Sequence, residues 1–133
     1  MIHAVADTHA VIWYLFDDER LSRPAKHFMD ETAKQGEQIG FSAITMVEIV
    51  YLIEKARIKP NTLKRLLEAI EESDAVLMEL PVTRETALNL RSISRASVPD
   101  MPDRIIAATA LEQKVPIISR DGKIKVSGLK TIW

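Results

Sequence analysis

The sequence predicts a single α/β domain over residues 1–133, built as a three-layer α/β/α sandwich with a central, mainly parallel sheet of four to five strands. Short apolar runs alternate with longer amphipathic runs along the chain, which is typical of strands joined by helical crossovers. The length of 133 residues is that of one domain. No repeat and no Gly/Ser-rich linker divides the chain.

The first quarter of the chain predicts one strand and two helices. The run "IHAVA" (2–6) has the composition of a buried strand and stops at Asp7. The run "THAVIWYLF" (8–16) is apolar on all sides and predicts a helix. Pro24 is typical of a first helical turn, and the helix that it opens is expected to run to about Lys34 and to stop near Gly36.

The middle of the chain repeats this order. "QIGFS" (38–42) predicts a short strand, and "AITMVEIVYLIEKA" (43–56) a long helix. A further helix is expected over 61–72, and "AVLMEL" (75–80) predicts a strand that Pro81 closes.

The last third predicts two helices and two strands. Helical periodicity covers 83–94 and, after Pro102, residues 102–113. "VPIIS" (115–119) predicts a strand, "RDGK" a turn, and "KTIW" (130–133) a final short strand.

Composition excludes several classes of protein. Hydrophobic residues make up 47% of the chain and charged residues 28%, which is typical of a globular protein. A chain of 133 residues buries about two-thirds of its unfolded surface, so it can form a core without metal or disulfides. The absence of cysteine excludes disulfides and thiolate metal sites and fits a reducing compartment, and we expect a cytoplasmic protein. No basic segment precedes the apolar N-terminal run, and we expect neither a signal peptide nor a membrane span.

The predicted topology brings strand ends together. Right-handed crossovers place the C-terminal ends of parallel strands at one edge of the sheet, where ligands bind in such folds. Asp7 ends the first strand, and Asp121 follows the strand that ends at Ser119. Both carboxylates are therefore expected at the same rim.

Glu48 and Asp103 occupy helix positions with apolar neighbours. By helical spacing these neighbours are Ile44, Val47, Tyr51 and Leu52 for Glu48, and Ile106, Ala107 and Ala110 for Asp103. An ionised carboxylate on such a face is costly unless it is paired or binds a metal. The structural alternatives are an edge position for Glu48, with its carboxylate in water or on a lysine, and a first-turn role for Asp103 in the helix dipole.

The other acids also have structural explanations. Asp7 precedes a helix, where an N-cap aspartate stabilises by about 1 kcal/mol. Asp121 belongs to an Asp-Gly pair, which is common in turns. Asp100 precedes the helix at Pro102, so capping is its simplest role, with assistance to a site as the alternative.

A shared function explains these acids better than four separate coincidences on one edge. Carboxylates packed together raise one another's pKa, and a divalent cation relieves that repulsion. Oxygen ligands without His or Cys suit Mg²⁺ or Mn²⁺. Such an ion activates a bound water and neutralises charge on a phosphate. The set consists of Asp7, Glu48, Asp103 and Asp121.

Nearby side chains are weaker candidates. The Ser119 hydroxyl is placed to hold a metal-bound water, and the Thr8 hydroxyl to orient Asp7. His9, in a first helical turn, is expected to be packed or hydrogen-bonded rather than a ligand. We expect a group of aromatic residues to fill the core or an interface rather than to stack on bases: Trp13, Tyr14 and Phe16.

Four segments, in this order, resemble PIN domains, and in particular the VapC-like toxins of prokaryotic toxin–antitoxin pairs. They are "VADTHAVIW", "SAITMVEI", "MPDRIIAATAL" and "PIISRDGK". The resemblance covers nearly the whole chain. It implies a PIN-like fold and a metal-dependent endoribonuclease with Mg²⁺ or Mn²⁺ as cofactor.

The resemblance also implies roles for particular residues and partners. The catalytic, metal-binding quartet would be Asp7, Glu48, Asp103 and Asp121. Ser119 occupies the family's Ser/Thr position before the last acid, and Asp100 a place where relatives sometimes carry another acid, which makes it a secondary metal candidate. The implied partners are an RNA substrate, a second copy in a homodimer, and a VapB-like antitoxin whose C-terminal segment inserts near the acidic pocket.

Charge gives a separate suggestion about RNA. The net charge of −1 provides no general attraction for nucleic acid, but residues 114–133 are rich in Lys and Arg. On charge alone, four residues are candidates to steer the phosphate backbone: Arg104, Arg120, Lys123 and Lys125.

Two other classes of function stay open from the residues alone. One is phosphoryl transfer on a small substrate, or a phospho-accepting receiver. A haloacid-dehalogenase-type phosphatase needs a second acid two residues after Asp7, where this chain has His9, and "VPIIS" lacks the lysine that a receiver needs. The other is a non-catalytic binding module whose acids only cap helices.

Overall fold

The computed structural model of the protein describes residues 1–121, 124 and 128–133. Within them lie five strands: β1 (Ile2–Ala6), β2 (Gln38–Ser42), β3 (Leu77–Leu80), β4 (Ile117–Ile118) and β5 (Thr131–Ile132). Six α-helices accompany them: α1 (Thr8–Leu15), α2 (Arg23–Lys34), α3 (Ile44–Glu54), α4 (Thr62–Glu71), α5 (Arg84–Asn89) and α6 (Met101–Gln113). None of these helices combines the length and apolar character needed to cross a bilayer.

The strands form one sheet in the order β3-β2-β1-β4-β5, and every neighbouring pair is parallel. Alternate side chains of β1 face opposite layers. Ala4 and Ala6 pack with residues of α1 to α4, whereas Val5 packs with α6 residues such as Ile106. Because one strand contributes to two separate cores, the sheet is the middle layer of a sandwich. The predicted fold class is confirmed.

The helix ends follow the local signals in the sequence. Helix α2 begins after Ser22, whose side-chain oxygen accepts a hydrogen bond from the Ala25 N–H, with Pro24 in the first turn. The chain leaves that helix at Gly36, which has φ of +70°. Glycine adopts this conformation without a steric penalty, and the helix therefore stops where the sequence predicted.

Several elements are shorter than predicted, and the differences are clearest in β3, β4 and α5. Strand β3 begins at Leu77, two residues later than expected, and β4 pairs through Ile117 and Ile118 alone. Helix α5 ends at Asn89 and is followed by a short 3-10 helix over Leu90–Ser92. The guanidinium of Arg104 explains this change, because its Nη2 donates to the carbonyl oxygens of Leu90 at 2.8 Å and Ile93 at 3.0 Å.

Candidate functional site

Asp7 and Ser119 lie side by side where β1 and β4 end. The Asp7 N–H donates to the carbonyl of Ile118 at 3.0 Å, which joins the two strand ends. The Asp7 side chain caps α1 by accepting from the Ala10 N–H at 2.9 Å. The buried Ser119 hydroxyl is hydrogen-bonded to Asp7 and also accepts from the Asp121 N–H at 3.0 Å. Ser119 therefore connects two of the predicted acids.

Glu48 reaches the same edge from α3. The Thr8 hydroxyl donates to Oε1 of Glu48 at 2.5 Å. The Thr8 oxygen also lies 3.1 Å from the hydroxyl oxygen of Thr45, which is fully buried one helical turn before Glu48. The prediction that the Thr8 hydroxyl orients Asp7 is therefore wrong, because this hydroxyl donates its hydrogen bond to Glu48.

Asp100 and Asp103 have different roles at the start of α6. Asp100 is the N-cap, and its Oδ1 accepts from the Asp103 N–H at 3.1 Å. Asp103 is half-buried, while Ile106, Ala107 and Ala110 on its side of the helix are fully buried. The carboxylate of Asp103 thus stands at the border between the core and the open edge of the sheet.

All of these acids line a single cleft. Its volume is about 590 Å³, and its lining residues are Asp7, Thr8, His9, Trp13, Glu48, Asp100, Asp103, Arg120 and Asp121. Five of the nine are carboxylic acids, and Arg120 is the single Lys or Arg side chain in this set. Acids from two strand ends and two helices are therefore brought to one cleft, although the first and the last of them, Asp7 and Asp121, are 114 residues apart in the sequence.

Burial and crowding raise the pKa of three acids in the cleft, which are Asp7, Glu48 and Asp103. Burial raises the pKa of Asp103 to about 7, and the charges of Asp100 and Glu48 add to that rise. Burial likewise raises the pKa of Glu48, against the opposing hydrogen bond from Thr8. The pKa of Asp7 is raised by burial too, although hydrogen bonds from Ser119 and Ala10 oppose it. The cleft therefore disfavours the ionised forms of these three carboxylic acids, and a nearby positive charge would favour them.

The donor chemistry fits a hard divalent cation. Carboxylate oxygens without thiolates are the ligands that Mg²⁺ and Mn²⁺ take. Within the described residues, no three side chains among His, Cys, Asp and Glu lie close enough together to hold a metal ion as they stand. Mg²⁺ keeps several waters and needs only one or two direct carboxylates, so an open set of acids suits it.

The predicted RNA-contacting residues have separate outcomes. Arg120 lines the cleft, and its guanidinium carbon lies 4.9 Å from the centroid of the Trp13 ring. Arg104 does not line the cleft, because its guanidinium is held by the carbonyls of Leu90 and Ile93. This arrangement gives Arg104 a structural role, and its contact with RNA stays a prediction. Lys123 and Lys125 lie outside the described residues.

Sequence reasoning missed three participants. Thr45 supports Thr8 from within α3, and no local pattern distinguishes it from an ordinary helical threonine. Trp13 is buried as expected, yet it also forms a wall of the cleft. His9 is exposed, with its ring centroid 5.5 Å from that of Trp13. The apolar neighbours proposed for Glu48 also need correction, because Val47 and Tyr51 are exposed rather than buried.

Comparison with known proteins agrees with this architecture. The chain is 26% identical over 127 residues to ribonuclease VapC22 of Mycobacterium tuberculosis, covering 94% of this chain and 92% of that protein. Among solved structures it is similar to VapBC2 of Rickettsia felis bound to a promoter DNA fragment, with a TM-score of 0.71, 16% identity, and 98% and 97% of the two chains covered. It is also similar to a toxin–antitoxin complex of Klebsiella pneumoniae, with a TM-score of 0.60, 21% identity, and 95% and 94% coverage.

The family assignment depends on the sequence match, since the structural likenesses at these identities show the fold alone. The profile of the PIN domain matches residues 4–127, which is nearly the whole chain and includes every acid of the cleft. The protein belongs to the PIN domain family.

Proposed function

We propose that the protein is a divalent-metal-dependent endoribonuclease. The observation that carries the proposal is the cleft in which Asp7, Glu48, Asp103 and Asp121 meet, with the pKa of Asp103 raised to about 7 by burial and by the neighbouring acids. Half-buried carboxylates packed this closely would be stabilised in their ionised form by a bound cation. The similarity to a ribonuclease over 94% of the chain supports RNA as the substrate.

In this proposal the four acids hold Mg²⁺ or Mn²⁺, and Asp100 is a secondary ligand. The bound metal would supply an activated water and neutralise charge that develops on the scissile phosphodiester. Ser119 fixes the position of Asp7 and of the Asp121 backbone, and Thr8 fixes Glu48. Arg120, at the edge of the cleft, is placed to attract the phosphate backbone.

The test is cleavage of a mixed-sequence RNA with Mg²⁺ or Mn²⁺ and with excess EDTA. Asp7→Asn keeps the N-cap and the size of the side chain but removes the charge, and we expect it to lower cleavage at least about 100-fold. Asp74→Asn, at an exposed position outside the cleft, is the matched control and should cleave like the wild type. Undiminished cleavage by Asp7→Asn, or cleavage in EDTA, would contradict the mechanism.

We further propose that the protein acts as the toxin of a toxin–antitoxin pair, as a cytoplasmic homodimer that a VapB-like antitoxin inhibits. The solved structures that it resembles include toxin–antitoxin complexes, which supports an antitoxin partner. A homodimer is supported by the exposed apolar side chains along one side of α3, which are Val47, Val50 and Tyr51. Induced expression should arrest growth of a bacterial host, and Asp7→Asn should not.

A further inference from the structure

A second cavity opens directly beside the acidic cleft. Its volume is about 650 Å³, and it lies between α1, the 17–20 turn and the segment that joins α3 to α4. His9 and Trp13 line both this cavity and the acidic cleft, so the two are neighbours that share a wall. We call the second cavity the basic groove, because its lining includes Arg20, Arg57 and Lys59.

Cations along this groove lie on aromatic rings. Nζ of Lys59 is 4.8 Å from the centroid of the Phe16 ring, and the guanidinium carbon of Arg65, which lies outside the groove lining, is 5.1 Å from the same centroid. Arg20 stands over Trp13 at 5.3 Å, on the ring that also carries Arg120. A long cationic side chain that is already held on a ring loses less conformational freedom when it binds an anion.

These cations differ in how much of their charge is available. Arg20 is neutralised by Asp18, since its Nη2 lies 2.7 Å from Oδ2 and its Nε donates to Oδ1 at 3.1 Å. Arg57 and Lys59 are exposed and form no ion pair within the described residues. The groove therefore offers positive charge from Arg57 and Lys59, with Asp18, which Lys59 attracts, as the acid among its lining residues.

His9 supplies a flat ring at the junction of the two cavities. It is exposed, and one side of its ring contacts the tilted ring of Trp13, with the centroids 5.5 Å apart and the planes at 48°. A supported aromatic or imidazole ring is a surface on which an unpaired base can stack. Trp13 itself is buried and covered by cations, so it supports the platform rather than forming it.

We propose that the basic groove binds single-stranded RNA and leads it into the acidic cleft, with one base stacked on His9 and the neighbouring phosphates on Arg57 and Lys59. Stacking on a ring requires an unpaired base, so this arrangement suits a single strand with splayed bases rather than a duplex. This RNA site extends the proposed ribonuclease function and rests on it, because the strand is expected to run from the groove toward the acidic cleft only if that cleft cleaves RNA.

The test measures binding without cleavage. A fluorescein-labelled 12-nucleotide oligouridine is titrated with the full chain in EDTA, and affinity is followed by anisotropy at several salt concentrations. We expect Arg57→Glu/Lys59→Glu to weaken binding at least about 10-fold and to make the salt dependence shallower by about 1 in log–log slope. The control Lys64→Glu/Arg84→Glu has the same change of charge at exposed positions outside both cavities, and it should stay within about 3-fold of the wild type.

The stacking role is tested separately. His9→Ala is expected to weaken oligouridine binding about 10-fold, and His9→Phe, which keeps a ring, to restore it. Circular dichroism melts show whether each variant is folded. Equal losses in both double variants, no loss in either, or tighter binding of an RNA duplex would overturn the proposal. Unchanged oligouridine affinity in Arg57→Glu/Lys59→Glu would show that the groove does not bind RNA, and a protein partner would then be its expected occupant.

The two proposals fail in different ways. Wild-type protein that binds oligouridine through the groove but cleaves no RNA with Mn²⁺ would refute the nuclease function and leave the groove as an RNA site. Cleavage by the wild type with oligouridine affinity unaltered in the groove variants would refute the groove alone.

Discussion

The hydroxyl of Thr8 donates to Oε1 of Glu48 at 2.5 Å and connects the first turn of α1 to the middle of α3. The two residues are 40 positions apart in the sequence. The buried hydroxyl oxygen of Thr45 lies 3.1 Å from the hydroxyl oxygen of Thr8. A carboxylate from one helix is thus held in the cleft by a side chain of another.

Thr8→Val removes this donor and keeps the shape of the side chain. We expect Mn²⁺ affinity and RNA cleavage to fall about 10- to 100-fold, because residues that orient metal ligands have effects of that size. The free energy of unfolding should also fall by about 1–3 kcal/mol, since the buried Thr45 hydroxyl loses its partner. Thr8→Ser should restore metal affinity. A Thr8→Val protein with wild-type Mn²⁺ affinity would show that Glu48 needs no positioning.

Asp103→Asn should stabilise the metal-free protein at neutral pH. The pKa of Asp103 is about 7 in the folded protein against an ordinary value of 3.8. A group with a raised pKa contributes most to stability while it is protonated, so this contribution is lost as pH rises from about 4 to 7. Asparagine does not ionise, and we expect a gain of about 1–3 kcal/mol at pH 7.5, after allowance for partial exposure.

Denaturant unfolding in EDTA at pH 5 and pH 7.5 measures this difference. The gain should shrink at the lower pH, and Asp74→Asn, an exposed control, should show none. Asp103→Asn and Asp103→Ala should both abolish RNA cleavage while the fold is retained. Unfolding of both variants would instead assign Asp103 a structural role.

Metal binding should be measurable by calorimetry and should stabilise the fold. Mn²⁺ at about 100 times its Kd should raise the free energy of unfolding by about 2.7 kcal/mol. Glu48→Gln removes one ligand charge and should reduce the affinity strongly. The absence of saturable Mn²⁺ binding in the wild type would favour the alternative of a non-catalytic module whose acids only cap helices.

Arg104→Ala should affect stability rather than RNA binding. Nη2 of Arg104 holds the carbonyls of Leu90 and Ile93, and its loss should cost about 1–3 kcal/mol and loosen the 3-10 helix. Hydrogen exchange should rise in the segment after α5. The slope of oligouridine affinity against salt should match that of the wild type, and a clearly shallower slope would return Arg104 to the RNA-contacting set.

The oligomeric state is tested on α3. Tyr51 is 61% exposed and Val47 is 48% exposed, and a charge there would be buried in a dimer interface at high cost. We expect the wild type to sediment as a dimer and Val47→Asp/Tyr51→Asp as a monomer. Leu67→Asp, at an exposed position on α4, is the matched control and should leave the dimer intact.

The sequence by itself determined the order and approximate limits of the elements. Helical and strand periodicities, Pro24 and Gly36 are local signals, and the structure follows them closely. The positions of the acids were also readable, because strand ends in a parallel sheet share one edge. Asp103 beside a buried apolar face was the clearest sign, and Ile106, Ala107 and Ala110 are all buried.

The tertiary structure alone decided which side chains meet. In the folded chain the Thr8 hydroxyl donates to Glu48 rather than to Asp7. The Arg104 guanidinium donates to backbone carbonyls, and the Tyr51 side chain is exposed. The tertiary structure also placed Lys59 over Phe16, which forms part of the basic groove. These outcomes depend on how each helix is rotated and packed against elements far away in the chain, and a local pattern of residues contains no information about that rotation.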